Sequence, residues 1–218
     1  MSRNEILNHI LECGIVAIIR MQKPDKLLKI TEAIYRGGLT AIEITLTTPD
    51  ALTWIRRLSD RLGDVIRVGA GSVINTEAVY RARDAGATYI ISPVLKTEII
   101  HAAHQLDMPA IPGCFTPTEI LAAHEAGADL IKVFPAEFHG PRYIKAIKAP
   151  LPQVALMPTG GITVQNAIEW IRAGASCLGV GSCLLDKQAI AENDFSKISA
   201  QSGLLKESVI QARSENQD

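Results

Sequence analysis

The sequence predicts an α/β protein: a single (β/α)8 TIM barrel over residues 1–218, with an extra N-terminal helix. Two observations carry that reading. Eight short, almost continuously apolar runs alternate with segments of helical period, and glycine-ended helices recur roughly every 40–50 residues, two βα units per period. Apolar runs without in–out alternation fit parallel strands covered on both faces. The 218 residues suit one domain, and eight βα units in that length make a compact barrel. A doubly wound open sheet would need a glycine-rich phosphate loop after the first strand, and Arg20-Met21-Gln22-Lys23-Pro24 is not one.

Taken in order, Met1-Ser2-Arg3-Asn4-Glu5 reads as a capping box that opens the extra helix, not as a signal peptide. The strand runs follow: Ile15–Arg20, Ala41–Leu46, Val65–Ser72, Tyr89–Pro93, Ala110–Cys114, Leu130–Pro135, Val154–Pro158 and Cys177–Ser182. Helix starts are marked by Thr48-Pro49-Asp50, Asn75-Thr76-Glu77 and Thr116-Pro117-Thr118-Glu119, where a cap, a proline or an acid suits a first turn. Helix ends are marked by Arg36-Gly37-Gly38, Ala85-Gly86-Ala87, Ala126-Gly127-Ala128 and Ala173-Gly174-Ala175. No linker or low-complexity tract interrupts the pattern, and only the tail after about Ser214 is expected to fray.

Composition narrows the function. Hydrophobic residues make up 47% and charged residues 21%, with a formal net charge of -1. No block of like charge points to nucleic acid or a membrane surface. No apolar run reaches the roughly 18 residues of a membrane span. Cys13, Cys114, Cys177 and Cys183 lack CxxC spacing, so buried, reduced thiols in a cytoplasmic protein are expected.

In a (β/α)8 barrel, catalytic groups sit at the C-terminal ends of the strands. Lys132 and Glu43 are the anomalies there. Lys132 is flanked by Leu130, Ile131, Val133 and Phe134, and Glu43 by Ile42, Ile44 and Leu46. Burial disfavours an ammonium, and the neutral amine is the form that attacks a carbonyl to make a Schiff base. A carboxyl beside such an amine can relay protons. Two blander readings stand beside this one: a static Lys132–Glu43 ion pair, or a lysine snorkelling to the rim.

Thr159-Gly160-Gly161 and Gly179-Val180-Gly181-Ser182 follow the seventh and eighth strands, where barrels often hold phosphate on backbone N–H groups. Tight βα turns would explain them equally. His9, His101, His104, His124 and His139 form no cluster of metal-ligand spacing, so neither metal nor other cofactor is expected. Trp54 and Trp170 read as core or interface residues.

Six segments, Glu43-Ile-Thr-Leu-Thr-Thr-Pro, Val68-Gly-Ala-Gly-Ser-Val, Ile91-Ser-Pro, Pro112-Gly-Cys-Phe-Thr-Pro-Thr-Glu, Ile131-Lys-Val-Phe-Pro-Ala and Pro158-Thr-Gly-Gly-Ile, resemble the family of 2-keto-3-deoxy-6-phosphogluconate and 4-hydroxy-2-oxoglutarate aldolases. The resemblance runs from about Ile15 to Leu184. It implies a metal-independent class I aldolase, usually a homotrimer, that releases pyruvate from a 4-hydroxy-2-keto acid. It also implies that Lys132 is the Schiff-base lysine and Glu43 the acid/base. Ser72 and Pro93 would lie along pyruvate, Thr159 would line the pocket, and Gly160, Gly161, Gly181 and Ser182 would hold the distal phosphate or carboxylate.

Two positions depart from the commonest family pattern. Thr47 stands where many members place an arginine for the keto-acid carboxylate. Arg20, ending the first strand, is therefore assigned to that carboxylate through a two-pronged guanidinium contact. Ser72 replaces a common threonine and keeps its hydroxyl. The rival readings are a sugar-phosphate isomerase or epimerase, with Lys132 clamping substrate charge, and a non-enzymatic barrel with an idle Lys–Glu pair.

Overall fold

The computed structural model describes residues 1–215. The capping box forms as expected: Ser2 Oγ accepts from Glu5 N, Glu5 reaches back to Ser2 N, and helix α1 (Arg3–Cys13) follows. The strands are β1 (Ile15–Ile19), β2 (Ala41–Thr45), β3 (Arg67–Gly71), β4 (Tyr89–Ile91), β5 (Ala110–Ile111), β6 (Gly113–Cys114), β7 (Ile131–Val133), β8 (Leu156–Pro158) and β9 (Leu178–Val180). Helices α2 (Leu27–Arg36), α3 (Ala51–Leu62), α4 (Thr76–Asp84), α5 (Thr97–Gln105), α6 (Pro117–Glu125), α7 (Pro141–Lys148), α8 (Ala167–Arg172) and α9 (Lys187–Glu192) alternate with them, and α10 (Phe195–Glu215) closes the order. The frayed tail expected after Ser214 meets a helix reaching Glu215; residues 216–218 lie outside the described residues.

All ladders are parallel, in sheets ordered β5-β4-β3-β2-β1-β9 and β6-β7-β8. The fifth apolar run is split at Pro112, which has no N–H to donate, although its carbonyl accepts from Lys132 N at 2.9 Å. Between β8 and β9 a single bridge joins Thr159 to Gly179, and Ser176 N donates to Leu156 O at 2.9 Å. Strand ends also shift. β1 stops before Arg20, β3 begins after Val65, and β9 stops before Gly181 and Ser182.

The helices cover the sheets with apolar stripes. In α3 the buried residues Ala51, Ile55 and Leu58 recur every three or four positions, which is one helical face. The four expected helix ends hold: Gly38, Gly86, Gly127 and Gly174 have φ of +88°, +94°, +87° and +104°. Beyond each, the next N–H returns to a carbonyl five residues back, as in Ala87 N to Ala82 O and Ala128 N to Ala123 O, both 3.0 Å. The starts follow expectation at Asn75 and Thr116, whose side chains accept from Ala78 N and Glu119 N. The start of α3 does not. Asp50 sits there at φ +55° with no side-chain cap, because the Thr48 hydroxyl lies instead within hydrogen-bond reach of Thr45 Oγ1 and Met21 N.

Helix α1 packs at the N-terminal ends of the first strands, with Ile6, Ile10 and Cys13 buried. Helix α10 ties this end down: Lys206 donates to Cys13 O at 2.8 Å and Arg213 to Leu11 O at 2.6 Å. Cys13, Cys114 and Cys177 are free and buried as expected, whereas Cys183 is half-buried. Burial pushes the Cys114 thiol up to about 12. Trp170 is buried and Trp54 half-buried, with the Arg57 guanidinium 5.0 Å from its ring.

Candidate active site

Parallel strands put all their C-terminal ends on one side. Glu43 and Lys132 lie a step below that rim, at the middles of β2 and β7, where their side chains are 1% and 6% exposed. Glu43 is in register with Ile18 on one side and Gly69 on the other. Lys132 is in register with Gly113 and Met157.

Strand glycines make this interior possible. A Cβ at Gly71 would overlap the Glu43 carboxyl, and one at Gly69 the Tyr89 ring. A Cβ at Gly179 would overlap the Thr159 hydroxyl, and one at Gly113 the Pro93 backbone. A residue that lacks a side chain in a strand often marks such a close approach.

Burial holds the Glu43 carboxyl above the ordinary carboxylate range; the positive charges of Lys132 and then Arg20 oppose the shift without cancelling it. Glu43 Oε2 is buried with no hydrogen-bond partner. Among the described residues, no ion pair within 4.0 Å joins Glu43 to Lys132. Lys132 Nζ instead stands 4.8 Å from the centre of the Phe134 ring. Neither bland reading of the pair therefore fits: there is no tight salt bridge, and the lysine does not reach the rim. What remains is a buried amine and a buried carboxyl on neighbouring parts of the strand assembly, a pairing suited to carbonyl addition with proton transfer.

The other predicted residues stand around the rim. Arg20 is exposed directly after β1. Ser72 follows β3 at φ +59°, in the left-handed region that non-glycine residues enter mainly at constrained sites. Pro93 is half-buried two residues after β4. Thr159 is buried at the end of β8, and its carbonyl accepts from Ala136 N at 2.9 Å. Gly160 and Gly161 turn at φ +107° and +71°. Gly181 lies against the end of β1, where an added Cβ would stand 3.6 Å from Ile18 O, and Ser182 is exposed beside it. The topology thus gathers these residues at the C-terminal ends of the strands, with Glu43 and Lys132 a step below them in mid-strand.

Three residues escaped the sequence reading. Phe134 was noted only as an apolar flank of Lys132. Glu137 packs against the glycine turn, its Cβ 2.8 Å from where a Cβ on Gly161 would sit. Tyr89, fully buried with an unpartnered hydroxyl, was legible only as the one tyrosine falling in a strand. His104 pairs with Asp129 at 2.8 Å near the opposite end. Among the described residues, no three His, Cys, Asp or Glu side chains gather as metal ligands, and no helix is long and apolar enough to cross a membrane. A cleft of about 470 Å³ opens on the outside, between α3 and α4, lined by Asp50, Leu52, Thr53 and Arg81. It contains neither Lys132 nor Glu43.

The chain resembles known proteins over most of its length. Residues 6–201 match the family model described as "KDPG and KHG aldolase". The 2-dehydro-3-deoxy-6-phosphogalactonate aldolase of Escherichia coli K12 is 39% identical over 171 residues, 78% of this chain and 83% of that protein. A structure titled "Native KDPGal structure" superposes with a TM-score of 0.85 at 34% identity, covering 92% of this chain and 96% of that one. The KDPG aldolase of Legionella pneumophila, described with pyruvate captured as a covalent carbinolamine intermediate, gives a TM-score of 0.84 at 29% identity over 91% and 97% of the two chains. Extent of match and fold agree: this chain is an aldolase of the KDPG and KHG aldolase family.

Proposed function

We propose that the enzyme cleaves a 4-hydroxy-2-keto acid to pyruvate and an aldehyde through a Schiff base on Lys132. The substrates are 2-keto-3-deoxy-6-phosphogluconate, giving glyceraldehyde 3-phosphate, and 4-hydroxy-2-oxoglutarate, giving glyoxylate. The supporting observation is the buried Lys132 amine facing the unpartnered Glu43 carboxyl. Lys132 Nζ adds to the C2 carbonyl to form a carbinolamine, and loss of water leaves an iminium. Glu43 takes the C4 hydroxyl proton, the C3–C4 bond breaks, and its electron pair passes to the iminium as an enamine. Glu43 returns the proton to C3, and hydrolysis frees pyruvate and the amine. No metal is needed, because the iminium is the electron sink.

Arg20 holds the keto-acid carboxylate, while Ser72 and Pro93 lie along the pyruvate portion and Thr159 lines the pocket. Gly160, Gly161, Gly181 and Ser182 hold the distal phosphate or carboxylate. In this reading β5 and β6 are one strand broken at Pro112, the Thr159–Gly179 bridge joins the two sheets, and the described residues form one domain, a closed eight-stranded barrel. The enzyme works in the cytoplasm, in Entner–Doudoroff-type sugar-acid breakdown, as a homotrimer.

Pyruvate release tests the assignment. Lys132→Ala should abolish it. Glu43→Gln should keep the pocket's shape and lower kcat by roughly 10²–10⁴-fold, the usual worth of a positioned acid/base. A Glu43→Gln enzyme within a few-fold of the parent would place the proton transfer elsewhere.

A further inference from the structure

Glu43 and Tyr89 reach the same stretch of β3 from opposite sides, since both are in register with Gly69. The Tyr89 ring fills the space in front of Gly69, and the Glu43 carboxyl fills the space in front of Gly71. Positions two apart on a strand face the same way, separated by about 7 Å. The two side chains are therefore neighbours in the interior, one step apart along β3. Each ends in a buried polar atom without a hydrogen-bond partner, Tyr89 Oη and Glu43 Oε2.

Two such orphans side by side need a reason. Buried polar groups almost always find a partner, in the protein or in an ordered water. Phenylalanine would fill the Tyr89 volume without stranding a hydroxyl. Burial, and next the Glu43 charge, hold the phenol well above its usual range, so it keeps its proton and can only donate to a carboxylate. Lys132 and Arg20 are the other charges acting on Glu43. Cys13 and Cys177, both buried, are the remaining titratable groups that act on the phenol.

We infer that Tyr89 is a positioning residue: its hydroxyl donates through one ordered water to Glu43 Oε2 and fixes that carboxyl for proton transfer. The inference rests on the acid/base reading of Glu43. Tyr89 acts through Glu43. A donor to the ionised carboxylate favours that form, so removing it makes Glu43 harder to ionise.

The test is Tyr89→Phe, measured by thermal unfolding, by kcat and KM for the keto acid, and by the pH profile of kcat. The variant should stay folded and unfold no more than about a few degrees below the parent, because phenylalanine fills the same volume and one hydrogen bond is lost. Its kcat at neutral pH should fall about two- to tenfold, the worth of one hydrogen bond. KM should stay unchanged, and the acid limb of the profile should move to higher pH. Borohydride trapping of pyruvate should still succeed. A profile that superimposes on the parent's, with kcat unchanged, overturns the inference and leaves Tyr89 as packing alone. Glu43→Gln, measured in parallel, separates the two failures. If it leaves kcat intact, the acid/base reading falls and takes this inference with it; if it cripples kcat while Tyr89→Phe changes nothing, only the inference falls.

Discussion

Glu43 is kept in a place that suits chemistry better than stability. Its raised proton affinity means the native state holds a proton more tightly than the unfolded chain does. The sign follows directly: the parent's stability is fullest below the ordinary carboxylate value of 4.5 and is lost as pH rises through the raised one. Glu43→Gln cannot ionise, so its stability relative to the parent should grow as pH rises above about 4.5. Urea unfolding of both proteins at pH 5 and pH 8 measures this, and a difference independent of pH would mean the carboxyl is not ionised at the cost of burial. Arg20 is the opposite case, exposed and free to meet a ligand. Arg20→Lys should raise KM for pyruvate in the condensation direction several-fold with kcat little changed, since a point charge loses the two-pronged contact; an unchanged KM refutes the assignment. Both residues were legible in the sequence, as a carboxylate in an apolar run and an arginine at a run's end. Tyr89 was not, because a tyrosine in a strand is ordinary until its hydroxyl is seen to lack a partner.

At the scale of elements, the sequence marked helix ends better than strand ends. Each Ala-Gly-Ala or Gly-Gly signal became a left-handed glycine with its return hydrogen bond, a purely local arrangement that needs only the glycine. Gly127 isolates this effect, since at φ +87° an added Cβ would stand 3.6 Å from the nearest heavy atom, on His104. Gly127→Ala should therefore lower unfolding free energy by about 1–2 kcal/mol through backbone strain alone, with kcat unchanged. A neutral result in denaturant titration would contradict the account of the helix end. Strand limits depend on partners that a single sequence does not show. The fifth run reads as one apolar stretch, yet it divides at Pro112 because that residue has no donor for the ladder. The start of α3 failed for a similar reason: Thr48 bonds across to Thr45 and Met21, so the apparent cap belongs to a contact between loops.

For the whole molecule, the alternation of strands and helices was legible because parallel strands covered on both faces leave an unbroken apolar record. The site was legible in part, because parallel strands gather residues that are far apart in sequence at one end. Lys132 and Glu43 lie 89 positions apart by their numbering (132 − 43), yet both enter the same interior. The sequence could not show that they stand apart rather than locked in an ion pair, and the account of their chemistry turns on that separation. The most direct measurement is borohydride reduction in the presence of pyruvate, followed by intact-mass and peptide mass spectrometry on the parent, Lys132→Ala, Lys145→Ala and Lys148→Ala proteins. Lys145 and Lys148 lie on the outer helix α7 and should be irrelevant. The account predicts one reduced pyruvate adduct, on the peptide containing Lys132, in the parent and both helix variants, and none in Lys132→Ala. An adduct that persists in Lys132→Ala, or a parent that forms none, would contradict it.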